Sequence, residues 1–363
     1  MSAVNVRFDV SLRDAINIIA KNGGKNTYHL RGEPGIGKTY LGKTIADIVE
    51  KPFVYIDCPG TDISEFGIPI PNHETKTVRS YPSEQWGMHL GIPQVYMLDE
   101  YAKAKMLQLI LHPMLTHPRR VGATMIHPDS IVITTGNLTT DGVGDMMKGH
   151  TIDRIVTLDV RKPTADEWIN DFAVHNNVHP IVMAWAKREP QVMQSYRDMS
   201  NPDENPFVYN PKVHNGTGLS YVSPRSLEMT SHSVWDYTNH LITESQMMAS
   251  LEGAIGAAGA RELSAFIDLA DQIPSNDEIR DEPETATLPE SPAAMCIVTL
   301  AALQWVKDRR DVTAWFKYMQ RLPTENQALF VLTANDKEHL KELLGGHKTY
   351  AEWAVANKHL FGM

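Results

Sequence analysis

Cysteine is scarce in this chain of 363 residues. Its two cysteines, Cys58 and Cys296, lie far apart in the sequence. Two distant thiols form neither a disulfide framework nor a zinc-binding motif, so both kinds of small stapled domain are excluded. We therefore expect the protein to work in a reducing compartment, the cytoplasm.

Long apolar runs and an excess of positive charge are also missing. The longest nearly apolar run, Ala293 to Val306, is interrupted by Thr299 and Gln304. It is too short to span a bilayer, so we predict a buried helix and no membrane partner. Lysine and arginine total 34 against 44 acidic residues, which gives a net charge of −10. This balance argues against a surface that binds nucleic acid or membranes as a whole.

The sequence does contain a complete phosphate-binding motif, G-x-x-x-x-G-K-[ST], at residues 32–39. The glycines of such a loop let backbone N–H groups wrap the phosphates of a nucleoside triphosphate. The lysine reaches the β- and γ-phosphates, and the hydroxyl of the last residue binds Mg²⁺. With the tyrosine that follows, the predicted nucleotide-binding residues are Gly32, Glu33, Pro34, Gly35, Ile36, Gly37, Lys38, Thr39 and Tyr40.

The segments around this loop indicate the strand–loop–helix context that the motif requires. From about residue 27 to 160, short β-prone runs alternate with helical segments, which predicts an α/β domain with a parallel sheet covered on both faces. Five strands are predicted: Thr27–Arg31, Phe53–Asp57, Gln94–Leu98, Ser130–Thr135 and Arg154–Val160.

The pattern along the whole chain predicts four segments. Residues 1–162 form the nucleotide-binding α/β domain, and residues 163–270 form a helical lid that carries a polar insert. Residues 271–292 are acidic and rich in proline and serine, which is typical of a linker. Residues 293–363 form a helical C-terminal segment.

A pair of carboxylates, Asp99 and Glu100, ends an apolar run that begins at Val95. An aspartate at the end of a buried strand can hold Mg²⁺ near the γ-phosphate. The following glutamate can act as the general base that polarises the attacking water. The alternative is a strand that ends at a solvated acidic turn, and the phosphate loop upstream favours the catalytic interpretation.

Asn137 follows a second apolar run, Ser130 to Thr135. The carboxyl edge of a parallel sheet faces the ligand crevice, so Asn137 could hydrogen-bond the γ-phosphate or the attacking water. The alternative is an asparagine that caps a turn.

Two arginines are candidates for completing the site. Arg154 could reach the γ-phosphate of a neighbouring subunit as an arginine finger. It could equally form a salt bridge within its own chain, and Arg161 is a rival. Arg225 follows Ser223, a plausible helix N-cap, and Pro224, which suits the first helical position. Arg225 could project from the lid onto the phosphates, or it could be a surface arginine.

Two small basic clusters keep a nucleic-acid partner as an alternative. His117, Arg119 and Arg120 form one cluster, and Lys76 and Arg79 form another. In a ring they could line a pore and contact nucleic acid or an acidic polypeptide. Solvated charges on a hairpin are the alternative.

Together these motifs resemble those of the AAA+ ATPases and, within them, the MoxR-like group. The resemblance covers about residues 30 to 230. Its elements, in order, are the loop at 32–39, Leu98-Asp99-Glu100, Thr134-Thr135-Gly136-Asn137, Asp153-Arg154-Ile155 and Ser223-Pro224-Arg225. The chain departs from the group's usual Ile-Asn-Arg after the acidic pair, where it has Tyr101-Ala102-Lys103.

The resemblance implies ATP hydrolysis, with Mg²⁺ held by Thr39 and Asp99, at the subunit interfaces of a ring that is usually a hexamer. It implies that Asn137 is the first sensor, Arg154 the finger in trans and Arg225 the second sensor. It also implies a chaperone-like remodeller of a partner protein, often one with a von Willebrand A domain. A nucleic-acid motor or loader on the same ATPase core is the alternative, and a scaffold that uses ATP only to assemble is a third.

Overall fold

A computed structural model describes residues 8–138, 147, 149–214 and 217–358 of the chain. The chain divides into two compact units, Met1–Lys162 and Pro163–Met363.

The first unit is built on a parallel sheet. In the described residues this sheet has six strands: β1 (Asp9–Val10), β2 (Tyr28–Arg31), β3 (Phe53–Asp57), β6 (Val95–Asp99), β9 (Ile131–Gly136) and β10 (Val156–Val160). Their order across the sheet is β1-β10-β2-β9-β6-β3. The remaining four strands form two hairpins: β4 (Ile68–Asn72) with β5 (Thr77–Tyr81), and β7 (Arg120–Val121) with β8 (Thr124–Met125).

The parallel α/β fold and all five predicted strands are confirmed, but the predicted number of strands was one too low. The sixth strand, β1, has two residues and pairs with the end of β10, where Val10 lies opposite Val160. The backbone N–H of Arg161 also donates to the Val10 carbonyl at 3.0 Å. Two residues are too few to show the alternation of apolar and polar side chains that predicts a strand. Only the pairing with β10 identifies β1 as a strand.

Helices cover both faces of the sheet. They are α1 (Leu12–Asn22), α2 (Lys38–Ile48), α3 (Lys105–Leu111) and α4 (Gly149–Ile152). Ile131 and Ile133 of β9 belong to the core formed with α1 and α2, whereas Val132 belongs to the core that contains α3. This alternation follows from the two-residue period of a strand and confirms that both faces are buried.

The second unit is helical. Its helices are α5 (Ala165–Trp168, continued by a π-helical stretch Ile169–Ala173), α6 (Pro180–Arg188), α7 (Pro211–His214), α8 (Pro224–Thr238), α9 (Glu244–Asp268), α10 (Asn276–Asp281), α11 (Pro292–Trp305), α12 (Arg309–Met319), α13 (Thr324–Asn335), α14 (Glu338–Gly345) and α15 (Lys348–Ala356). All of these helices except α7 contribute residues to one hydrophobic core. The acidic stretch 271–292 contributes Ile279 of α10 to that core. The predicted division into lid, linker and C-terminal segment stays a prediction.

The apolar run near residue 300 forms helix α11, and most of that helix is buried. Across the described parts of both units, no helix combines the length and the apolar character that crossing a membrane requires.

Candidate nucleotide-binding site

The phosphate loop lies between the end of β2 and the start of α2. Gly35 and Gly37 have φ angles of 76° and 104°, a region that suits glycine. Helix α2 begins at Lys38 with no side-chain cap on its first turn. The first N–H groups of a helix lack partners within it, so the sequence of the loop creates a positive helix end that suits a phosphate.

The ammonium group of Lys38 is directed back across the loop. It donates to the carbonyls of Gly32 and Glu33, each at 2.8 Å, and to the side-chain oxygen of Asn137 at 3.2 Å. Asn137 follows β9, which pairs directly with β2. The structure therefore brings the predicted phosphate lysine and the predicted sensor asparagine into contact.

The carboxylate of Asp99 accepts hydrogen bonds from three hydroxyl groups. Thr39 donates from the first turn of α2 at 3.3 Å, and Tyr55 donates from β3 at 2.9 Å. The hydroxyl of Thr135 on β9 also contacts the second carboxylate oxygen. Because β6 lies between β3 and β9, Asp99 at its carboxyl end receives a donor from each side.

Glu100 adopts a left-handed backbone conformation, with φ of 50°. Its backbone N–H donates to the Thr135 hydroxyl at 3.0 Å. One oxygen of its carboxylate accepts from the Lys103 ammonium at 2.6 Å, and the other lies 3.5 Å from the side-chain nitrogen of Asn137. Thr135 thus contacts both members of the acidic pair, and Lys103 and Asn137 hold the Glu100 side chain between them.

His29 and Cys58 are buried beside the site, and neither carries charge near neutral pH. Burial, reinforced by the charges of Arg31 and Lys38, lowers the pKa of His29 to about 3. The ring Nδ1 of His29 lies 2.8 Å from the Thr134 hydroxyl. Burial also raises the pKa of Cys58 far above its ordinary value, which keeps that thiol protonated and unreactive.

The two predicted arginines lie in different units, Arg154 in the first and Arg225 in the second. Arg154 is exposed, and its guanidinium contacts the His112 ring. Arg225 is exposed on the first turn of α8 in the second unit, where Ser223 caps the helix and Pro224 takes its first position as predicted. The rival Arg161 donates to the carbonyl of Lys162 at 3.3 Å. The roles of these arginines stay predictions.

Sequence reasoning missed three residues of the cluster: Tyr55, Thr135 and Lys103. Thr135 lies inside the sensor motif, and a hydroxyl at the end of a buried strand was a signal that could have identified it. Lys103 lies three residues after Glu100, within reach along one turn. Tyr55 gave no local signal, because its contact with Asp99 depends on the pairing of β3 with β6.

The donor set at Thr39 and Asp99 fits Mg²⁺. Both offer oxygen, and their side-chain oxygens lie 3.3 Å apart. Mg²⁺ is commonly held by one or two protein oxygens together with substrate phosphates. Among the described residues, no group of three or more His, Cys, Asp or Glu side chains is arranged to hold a metal ion.

No protein-family model matches this sequence, and no curated protein matches it significantly. Among solved structures, the chain is similar to two mutants of RuvB from Thermotoga maritima. The proline-to-glycine mutant matches with a TM-score of 0.38 and 14% identity over 74% of this chain and 73% of that one. The lysine-to-arginine mutant matches with a TM-score of 0.36 and 14% identity over 72% and 69%. At this level of likeness neither structure identifies a function for this chain.

Proposed function

We propose that this protein is a Mg²⁺-dependent ATPase of the AAA+ type. One observation carries the proposal: Lys38, Thr39, Asp99, Glu100 and Asn137 are joined by hydrogen bonds, with Thr135 as the link between Asp99 and Glu100, at the carboxyl edge of the parallel sheet. These are the groups that phosphate binding, metal binding and water activation require, and ligands of parallel α/β sheets bind at this edge.

Each residue of the cluster has a distinct role. The loop N–H groups and Lys38 bind the phosphates. Thr39 and Asp99 hold Mg²⁺, which neutralises phosphate charge when it is bound. Glu100 accepts a proton from the attacking water, and Asn137 orients that water or reads the γ-phosphate.

We further propose that the protein acts as a ring, a hexamer in the MoxR-like manner, and remodels a partner protein that carries a von Willebrand A domain. Arg154 is exposed and so is accessible to a neighbouring subunit as a finger. Met106 and Leu109 of α3 are also exposed, and apolar side chains of this size favour a contact between subunits. Arg225 would act as the second sensor. The two free, buried cysteines support a reducing compartment, the cytoplasm.

The hairpin formed by β4 and β5 favours a protein client. Ile68, Ile70 and Val78 are each more than half exposed on it, and such side chains suit contact with a polypeptide. Lys76 and Arg79 lie on the same hairpin and are also exposed, which keeps a nucleic-acid motor as the second candidate. ATP turnover that DNA or RNA stimulates, with a steep dependence on salt, would favour that candidate.

Replacement of the general base tests the proposal. We expect Glu100→Gln to bind ATP as tightly as the parent, because glutamine keeps the shape of the side chain. We expect hydrolysis to fall by about 10²–10⁴-fold, because the base is lost. Binding is measured with a fluorescent ATP analogue and hydrolysis by phosphate release.

Glu74→Gln, at an exposed turn of the hairpin, is the matched control and should change neither quantity. A Glu100→Gln protein that hydrolyses ATP at the parent's rate would refute the proposed mechanism. The same variant, loaded with ATP, is the bait for capturing the client.

A further inference from the structure

The polar insert of the second unit, residues 198–221, has no part in the proposed mechanism. Val208 and Tyr209 are buried within it, in a small apolar cluster separate from the main core of this unit. The insert leads directly into Ser223, which caps α8, and so into Arg225 on the first turn of that helix. The position where the insert ends therefore bears on the position of Arg225.

Helix α9, which packs beside α8, is interrupted at Gly256. The backbone angles of Gly256 are φ 76° and ψ 163°, far outside the helical region, with helical residues on either side. Among amino acids, this conformation is essentially restricted to glycine. A sharp kink in a helix has an identifiable cause, such as a group that inserts into it.

The end of the insert contacts α9 at this interruption. A Cβ atom added to Gly256 would lie 2.8 Å from the carbonyl oxygen of Ser220, which is closer than a real side chain permits. The Ser220 hydroxyl also donates to the carbonyl of Gly253, one turn earlier in α9. Ser220 is therefore held on α9 both by close backbone packing and by a hydrogen bond.

Hydrogen bonds connect the residue after Ser220 to the first turn of α8. The Ser226 hydroxyl donates to the Tyr221 carbonyl at 3.0 Å. The N–H of Ser223 donates to the Ser226 hydroxyl at 2.8 Å, and the N–H of Ser226 donates to the Ser223 hydroxyl at 3.1 Å. Arg225 lies between these two serines, so its backbone is fixed by the same set of bonds.

We propose that Gly256 is a positioning residue for Arg225. Because Gly256 has no side chain, Ser220 can lie against α9, and the hydrogen-bonded segment 220–226 then sets where the first turn of α8 begins. The insert is thereby tied to the helix that carries the predicted second sensor. This inference rests on the proposed function only for its kinetic readout.

The test compares Gly256→Ala, Ser220→Ala, Arg225→Ala and the double variant of Gly256 and Arg225 with a control, Gly253→Ala. Gly253 lies on the same helix, keeps its carbonyl in the variant, and has no described atom within 4 Å of an added Cβ. Two quantities are measured: hydrogen–deuterium exchange of amides 222–227 without nucleotide, and kcat and KM of ATP hydrolysis.

We expect Gly256→Ala to speed exchange at these amides and to lower kcat/KM about tenfold, because alanine neither adopts this backbone conformation nor leaves room for the Ser220 carbonyl. The changes in kcat and in KM should follow those of Arg225→Ala. Ser220→Ala should lose about threefold, since it removes one hydrogen bond. The double variant should lose no more than Arg225→Ala alone. Gly253→Ala should match the parent in both measurements.

Two outcomes would overturn the inference: a Gly256→Ala protein with the parent's exchange at amides 222–227, or losses in the double variant that multiply. If Gly256→Ala does not fold, Ser220→Ala against Gly253→Ala gives the same comparison. A parent protein that hydrolyses no ATP would refute the proposed function instead. The exchange measurement would still decide whether Gly256 holds the start of α8 in place.

Discussion

The sheet edge of the first unit and the tryptophan-rich core of the second use buried polar groups in opposite ways. In the first unit, the polar side chains at the sheet edge are bonded to one another, and Asp99 alone accepts from three hydroxyls. In the described core of the second unit, four buried indole N–H groups have no hydrogen-bond partner. They belong to Trp168, Trp185, Trp305 and Trp315.

This difference indicates that the precise placement of polar side chains matters in the first unit, whereas the packing of rings stabilises the second. An unpaired buried donor costs about 1–3 kcal/mol, and a buried aromatic ring outweighs that cost through its area. The second unit therefore gains stability by packing rings without requiring each polar atom to be placed. The catalysis that we propose for the first unit requires the placement, because it depends on geometry at the scale of about 1 Å. Substitutions in the two units should have separable effects.

The largest expected effect is on the stability of the second unit. Trp315 packs against Trp305, Tyr318 and Phe330, with ring centroids 5.2–6.0 Å apart. We expect Trp315→Ala to lower the free energy of unfolding by about 3–5 kcal/mol, because it leaves a cavity in the core. Urea unfolding followed by circular dichroism measures this change.

Leu241→Ala, at an exposed residue of the same unit, is the control and should stay within about 0.5 kcal/mol of the parent. Nucleotide affinity of the folded Trp315→Ala protein should match that of the parent. A parallel loss of affinity would show that the two units are not separable in this way.

The next effect is on hydrolysis. We expect Thr135→Val to lower the rate of ATP hydrolysis by about 10²-fold, because the hydroxyl that contacts both Asp99 and Glu100 is lost. Thr134→Val is the control, since its hydroxyl bonds to the buried His29 instead. It should cost about 1–3 kcal/mol of stability and leave the hydrolysis rate nearly unchanged. Equal losses of activity in the two variants would contradict the assigned role of Thr135.

The smallest expected effect is a loss of folding stability at acidic pH, to which one buried histidine in each unit contributes. Burial lowers the pKa of His29 and of His179 to about 3, well below the unfolded value of 6.5. The unfolded chain therefore binds more protons between these values, so stability is complete above pH 6.5 and is lost as the pH falls. We expect each histidine to remove about 1.4 kcal/mol per pH unit below 6.5.

His179→Asn separates the two contributions. His179 caps α6 by accepting from the Ile181 N–H at 3.2 Å, and asparagine is also a good N-cap that does not titrate. Unfolding at pH 7 and pH 5 should show a weaker pH dependence in this variant than in the parent. An unchanged dependence would assign the acid sensitivity to other groups.

Much of the fold followed from local pattern. The strands that end at Asp57, Asp99 and Gly136 were predicted to within one residue, because each is a short apolar run bounded by polar residues. The capped start of α8 was also predicted, from Ser223 with Pro224. These features depend on neighbours in sequence, where the chemistry of each residue is directly visible.

The phosphate loop, its glycines and the acidic pair were determined by the sequence alone, because they arise from backbone preferences and residue types within a few positions. Only the tertiary structure decided which distant side chains complete the site. Tyr55 meets Asp99, and Thr135 meets both Asp99 and Glu100, because strand order and register place them there. Such contacts span the sheet, and pairing between strands is set by the packing of the whole unit rather than by any local segment.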